Sequence, residues 1–172
     1  KIESLPFDQI TKEKQRRTLE RLEFATTFEY GLAKKFTTAK RFGMEGLETT
    51  IPGMKAMIDK FADLGAEDFV IGMAHRGRLN VLANVMRKPM EIMFNEFKGT
   101  METRSEEEDW SMSGDVKYHL GTSHDRINAD GKKVHLSLMA NPSHLEAVNP
   151  MVSGKSRAKM HYKGDAIGNT VV

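Results

Sequence analysis

The feature that most narrows the possible folds lies in the middle of the chain. Asp68-Phe69-Val70-Ile71-Gly72-Met73 is a short, almost wholly apolar run, as expected of a strand buried on both faces. Ala74-His75-Arg76-Gly77-Arg78 interrupts it with polar, glycine-bearing chain. Leu79, Val81, Leu82, Val85 and Met86 then follow at helical spacing. Strand, polar turn and helix in that order are the unit of an α/β sheet. In open sheets of this kind ligands sit at the carboxyl ends of the strands, where helix N-termini attract anions. The turn over 74–78 is therefore the first place to look for chemistry.

The flanking chain supports the same class. A helix is predicted from Thr11 as N-cap, with apolar residues at Leu19, Leu22, Phe28, Leu32 and Phe36 and a charged face carrying Lys12, Arg16, Glu20 and Glu23. Thr37 to Glu48 reads as a loop, and Ile51 to Leu64 as a second helix stopped by Gly65. Pro89 opens a short helix with Ile92, Met93, Phe94 and Phe97 as its apolar residues, closing at Gly99. Thr100 to Ser113, acidic from Glu106 to Asp109, has no period and is expected to be a protease-sensitive surface loop. A glycine-bounded element follows at Gly114 to Gly121. After the turn Asn128 to Gly131, alternation of Val134, Leu136 and Leu138 predicts a half-buried strand. A helix is expected over Leu145 to Val148 and, past Pro150, over part of Met151 to Tyr162. Asn169 to Val172 look like a strand that has just begun, so the domain is expected to continue past the last residue. Lys1 is not an initiator methionine, which leaves room for a lost leading segment.

With 172 residues the chain has the length of one domain, and 1–172 is treated as the first part of one. A net charge of +2, with the basic residues scattered among 24 acidic ones, does not make a nucleic-acid reader. No apolar run approaches the ~18–20 residues of a membrane span. Cysteine is absent, so neither a disulfide framework nor thiolate chemistry is available. The six histidines show no zinc-binding spacing of the His-Glu-x-x-His type. No Gly-x-Ser-x-Gly elbow, phosphate-binding Walker loop or Gly-x-Gly-x-x-Gly fingerprint occurs. The twelve methionines fall among helical apolar positions and read as core filler.

His75 and Arg76 lie in the turn after the strand, His119 in the second glycine-bounded element, and Ser143 and His144 after Pro142. Three of them have bland alternatives. His75 could be a solvated loop histidine, His119 a satisfied half-buried one, and Ser143 a helix N-cap, a role compatible with anion binding.

Four runs change the weighing. They are Ala39-Lys40-Arg41-Phe42-Gly43-Met44-Glu45-Gly46; Gly72 to Leu82 with its His-Arg-Gly; Gly114-Asp115-Val116-Lys117-Tyr118-His119-Leu120-Gly121; and Asn141-Pro142-Ser143-His144-Leu145-Glu146. In content and order the chain from about Phe24 onward resembles the first component of the 2-oxoglutarate dehydrogenase complex. The resemblance implies a partial transketolase-like thiamine-diphosphate-binding α/β fold, with helices packed on a mostly parallel sheet, from the N-terminal part of the diphosphate-side domain. It implies thiamine diphosphate and Mg2+ as cofactors, with Arg76, Ser143, His144 and Leu145 at the thiamine diphosphate. His75, His119 and Ser143 would face the 2-oxo acid, His75 and His119 as catalytic groups. The metal ligands, the activating glutamate and the pyrimidine-binding domain would lie past Val172, so the piece alone is expected to be inactive. Asp165, in Gly164-Asp165, precedes the expected strand and is not assigned to metal.

The implied reaction is oxidative decarboxylation of 2-oxoglutarate, with succinyl transfer to lipoamide, in the tricarboxylic acid cycle. The implied partners are a second copy of the chain, the dihydrolipoyl succinyltransferase and the dihydrolipoyl dehydrogenase. Lys117 to Gly121 is more similar to the 2-oxoglutarate than the 2-oxoadipate branch. Arg126-Ile127-Asn128 and Ser137 to Ala140 resemble mitochondrial members, which implies the matrix; a bacterial member would be cytoplasmic. Two rivals remain. An interaction module would show a contiguous basic face among Lys12, Lys14, Arg16 and Arg17 and no cleft at the histidines. A phosphate-binding enzyme such as a kinase would need the glycine-rich loop that is missing.

Overall fold

A computed structural model describes residues 10–98, 119–128, 131–140, 144–164 and 170–172. The acidic segment expected to be a loop, Gly99, Gly114 to Tyr118, Ser143, Asp165 and Asn169 lie outside the described residues.

Helix α1 spans Lys12–Lys35, and Thr11 caps it by accepting a hydrogen bond from the Lys14 backbone N at 3.3 Å. Its inward face carries Ala25, Phe28 and Leu32. Leu19, expected to share that face, is 65% exposed. It precedes Phe28 by nine positions, which at 3.6 residues per turn puts it on the opposite side. Arg16 pairs with Glu20 and Arg17 with Glu13, one turn away in each case. The unbroken basic face that an interaction module would need is therefore interleaved with carboxylates.

Helix α2 covers Thr50–Asp63 and ends at Gly65, whose φ of +101° suits the glycine at that stop. Strand β1 (Asp68–Ile71), helix α3 (Arg78–Asn84) and helix α4 (Met90–Lys98) follow as the pattern predicts. In α4, Met93 is fully buried while Ile92 is exposed. Strands β2 (Thr122–Ile127) and β3 (Lys133–Leu138) form an antiparallel hairpin. β2 was not anticipated because Thr-Ser-His-Asp-Arg-Ile has no apolar alternation. It is an edge strand, and only Arg126 in it is buried.

Helix α5 runs unbroken over Val148–Lys163, correcting the expected start at Leu145 and the break at Pro150. Pro150 sits in the first turn, where a helix has no acceptor for the missing N–H. The N-cap is Ala147, which makes no side-chain cap hydrogen bond among the described residues. The short strand β4 (Thr170–Val171) closes the described chain.

The sheet order is β2-β3-β1-β4, with β1 parallel to both β3 and β4. Along β1, Phe69 belongs to the main core and meets the ring of Phe61 from α2 at 6.4 Å. Val70 points the other way and lines a cleft with Val148 and Val152 of α5. Gly72 makes this close docking possible, since a Cβ there would lie 2.1 Å from Val152 Cγ2.

Ion pairs fix the periphery. Asp59 of α2 accepts from Arg126 of edge strand β2 at 2.5 Å and from Arg21 of α1 at 3.4 Å. Buried Asp68 receives Lys159 at 2.7 Å, and Lys163 as well. Burial works to raise the Asp68 pKa, but the two ammonium groups hold it below the usual carboxylate range.

Lys55 is the cation this arrangement serves badly. Burial, then Arg21, Arg126 and Arg87, bring its pKa down to about 8. A lysine lowered in the folded state penalises folding while protonated. That penalty is full below about pH 8 and fades as pH rises toward 10.5. Lys55→Met is accordingly expected to raise the melting temperature at pH 7, with the gain shrinking between pH 8 and 10. A gain that is flat across pH in thermal melts would sink this account.

Candidate functional site

The parallel pairing puts the carboxyl ends of β1 and β3 side by side, with Ile71 opposite Leu138. Chain leaving β1 passes through Gly72 to Gly77 before α3 begins. Gly77 has φ +69°, and its N–H donates to the Phe42 carbonyl at 2.7 Å. A Cβ at that position would meet the flexible tip of Met44, Cε at 2.6 Å, which could move aside, so it is the backbone conformation that calls for glycine. The Phe42-Gly43-Met44 stretch thus folds back onto the His-Arg-Gly turn.

His75 is half-buried with its ring against Phe42, centroids 4.3 Å apart. Its Nδ1 is buried and has no hydrogen-bond partner among the described residues. Arg76 is exposed, and its Nη1 donates to the Gly43 carbonyl at 3.1 Å. This guanidinium stands at a cleft of about 350 Å³ lined otherwise mostly by apolar groups, among them Met44, Met54, Ile71, Met73 and Val81. His119 is half-buried just ahead of β2, and Leu120 beside it accepts a bond from Arg78 Nη2 at 2.9 Å. His144 is exposed and Leu145 is 79% exposed in the turn before α5.

The structure therefore puts Arg76 at this cleft, with His75 next to it in the same turn but not among the lining residues, and brings the chain at His119 to the same sheet edge. It leaves His144 and Leu145 at the surface of the described chain. The residue that sequence reasoning passed over is Arg78. It is 0% exposed, and burial brings its pKa down to about 10. Its spacing was a usable signal, because Arg78, Leu82 and Val85 fall at i, i+4 and i+7 on one helical face.

A second buried polar group supports the loop at Phe42–Met44. Asn80 donates to the Ala25 carbonyl at 3.0 Å and to Glu29 Oε1 at 2.9 Å, while Glu29 also accepts from the Met44 backbone N. Burial raises the Glu29 pKa against these bonds.

A diphosphate-bearing cofactor fits the Arg76 side of the cleft. A guanidinium with donors to spare opens onto a pocket whose apolar lining can take a ring. Magnesium has no comparable place, since no group of three or more His, Asp or Glu among the described residues could hold a metal. No helix among them is long and apolar enough to cross a membrane.

Comparison with known proteins gives a consistent result. The family described as "Dehydrogenase E1 component" matches residues 20–172. A protein of Dictyostelium discoideum named "2-oxoglutarate dehydrogenase, mitochondrial" is 61% identical over 147 residues, covering 86% of this chain and 14% of its own length. One of the same name from Saccharomyces cerevisiae is 54% identical over 157 residues, 91% of this chain and 15% of its own length. A Xenopus laevis protein named "2-oxoglutarate dehydrogenase-like, mitochondrial" is 50% identical over 173 residues, 100% of this chain and 16% of its own length. The chain thus spans only 14–16% of the length of these relatives.

Proposed function

Because this chain belongs to the dehydrogenase E1 component family, we propose that it forms the first part of the diphosphate-side domain of a 2-oxoglutarate dehydrogenase first component. The whole enzyme would decarboxylate 2-oxoglutarate oxidatively and pass the succinyl group to a lipoyl group. The observation that carries this reading is the placing of Arg76 over an apolar cleft at the carboxyl edge of β1, within the segment that carries the family resemblance.

When bound, thiamine diphosphate supplies the electron sink for decarboxylation. The protein's share is placement and charge. Arg76 would hold the diphosphate by charge-assisted bonds, aided by Ser143, His144 and Leu145. His75 and His119, with Ser143, would face the 2-oxo acid, the two imidazoles holding or donating a proton where negative charge develops on its ketone oxygen. Magnesium ligands, the activating glutamate and the pyrimidine-binding half would come from chain past Val172, in a homodimer. The dihydrolipoyl succinyltransferase would take the acyl group, and the dihydrolipoyl dehydrogenase would reoxidise the carrier. The relatives' names support the mitochondrion, and the proposed compartment is its matrix.

In full-length enzyme, Arg76→Ala removes a charge-assisted contact worth about 1.5–3 kcal/mol, so the cofactor dissociation constant should rise roughly 10- to 150-fold. Titration calorimetry with thiamine diphosphate and magnesium measures it. Unchanged affinity would remove Arg76 from the site. Steady-state comparison of 2-oxoglutarate with 2-oxoadipate decides the substrate branch, and a preference for the longer acid would overturn the one proposed here.

A further inference from the structure

Beyond the residues expected to touch cofactor or substrate, one buried cation connects the segments that supply them. Arg78 Nη1 donates to the Met73 carbonyl at 2.9 Å, and Nη2 donates to the carbonyls of Leu120 at 2.9 Å and Met139 at 2.5 Å. Met73 lies two residues past the end of β1, Met139 one past the end of β3, and Leu120 two before the start of β2. All three carbonyls sit at or beyond the limits of the sheet ladder, and buried carbonyls need a donor.

The three anchors are distributed in a telling way along the sequence. Met73 is two residues before His75, Leu120 follows His119 directly, and Met139 is two before Asn141, which opens Asn-Pro-Ser-His-Leu-Glu. Every residue assigned to cofactor or substrate above belongs to one of those three segments. They come from distant parts of the chain, and Arg78 is a side chain that bonds to all three.

We propose that Arg78 is a positioning residue: its guanidinium fixes the spacing of the three site-bearing segments through their carbonyls, without itself touching substrate or cofactor. The chemistry demands arginine. A planar guanidinium presents five donors in a fixed fork, so one head group can serve three diverging acceptors. A lysine ammonium on a flexible stem keeps the charge but not the fork. The side chain is also enclosed, with no exposed surface, so its role is internal.

The functional consequence rests on the reading under Proposed function, whereas the positional claim can be tested without it. The experiment uses the full-length enzyme with Arg78→Lys and Arg78→Ala. In Arg78→Lys, backbone hydrogen exchange should quicken together in 72–77, 119–121 and 139–145, with α1 and α2 unchanged. Turnover should fall on the order of 10²-fold, the loss expected of reacting groups misplaced by about 1 Å. KM for 2-oxoglutarate should rise. Guanidinium ion at non-denaturing concentration should partly restore Arg78→Ala, and methylammonium should not.

Exchange that quickens around α3 alone would overturn the proposal, as would a lysine variant with normal kcat and KM. So would failure of both variants to fold, which would make Arg78 a requirement of the core. If the wild-type enzyme does not act on 2-oxoglutarate, the functional reading fails by itself. The exchange pattern and the guanidinium dependence of Arg78→Ala, read as a melting temperature, still decide the positional claim.

Discussion

Full-length enzyme carrying His119→Ala is expected to turn over 2-oxoglutarate roughly 10²–10⁴-fold more slowly while binding thiamine diphosphate nearly as tightly as wild type. The expectation follows from the role proposed for His119, an imidazole serving developing oxyanion charge or a substrate carboxylate. Its backbone runs directly into Leu120, which Arg78 holds at the carboxyl edge of β1 and β3. Removing the imidazole leaves that anchor in place, so the loss should appear in the chemical step. Arg76→Ala makes the contrast. Excess cofactor should restore much of its activity, because only cofactor affinity is weakened, and should do nothing for His119→Ala. Saturation kinetics on both variants separate the cases. If added cofactor returned His119→Ala to normal turnover, His119 would belong to the cofactor or to the packing, and the substrate role would be lost.

A second large effect is expected from a single methyl group. Gly121→Ala would set a Cβ 2.6 Å from the Ala140 backbone N and 2.7 Å from the Leu138 carbonyl oxygen. Both obstacles are backbone, so no rotamer change relieves the clash. Overpacking of this kind typically costs about 1–3 kcal/mol. Here the strand start must move away from the end of β3, carrying His119 with it. The variant should melt at a lower temperature, lose activity and show faster hydrogen exchange across the β2–β3 pairing. Wild-type melting and turnover together would show that the chain at Gly121 yields without consequence.

How much of this was legible beforehand varied with the physics of each element. β1 was readable as an unbroken apolar run buried on both faces, and α3 and β3 because burial imposes a period on their residues. β2 was not, because an edge strand with one partner can be built from polar residues. Leu19 was misplaced because the apolar residues of α1 do not all lie on one stripe, and the phase of Phe28 and Leu32 decides which face is inward. Pro150 looked like a breaker, but its effect depends on its distance from the helix start, which no local pattern marked.

For the site, the turn at His75 and Arg76 stood out as polar chain between two apolar elements. The connection from that turn to His119 and to Met139 did not stand out. It runs through a side chain whose acceptors are carbonyls, and carbonyls have no residue type to read. Roles for Ser143, His144 and Leu145 rested on resemblance. Among these, the two described residues, His144 and Leu145, are exposed.

The strand order has a consequence for how the molecule is made. β2 and β3 are neighbours in sequence and can zip together as soon as they are synthesised, whereas β1 must wait for them and for β4. Its two parallel partners arrive late, one on each side, and each pairing closes a long loop before it gains a ladder. Until the ribosome has passed Val171, the apolar strand Phe69-Val70-Ile71 therefore has an open edge. During that interval the nascent chain carries a sticky, unpaired β segment, the kind of surface that holdase chaperones cover.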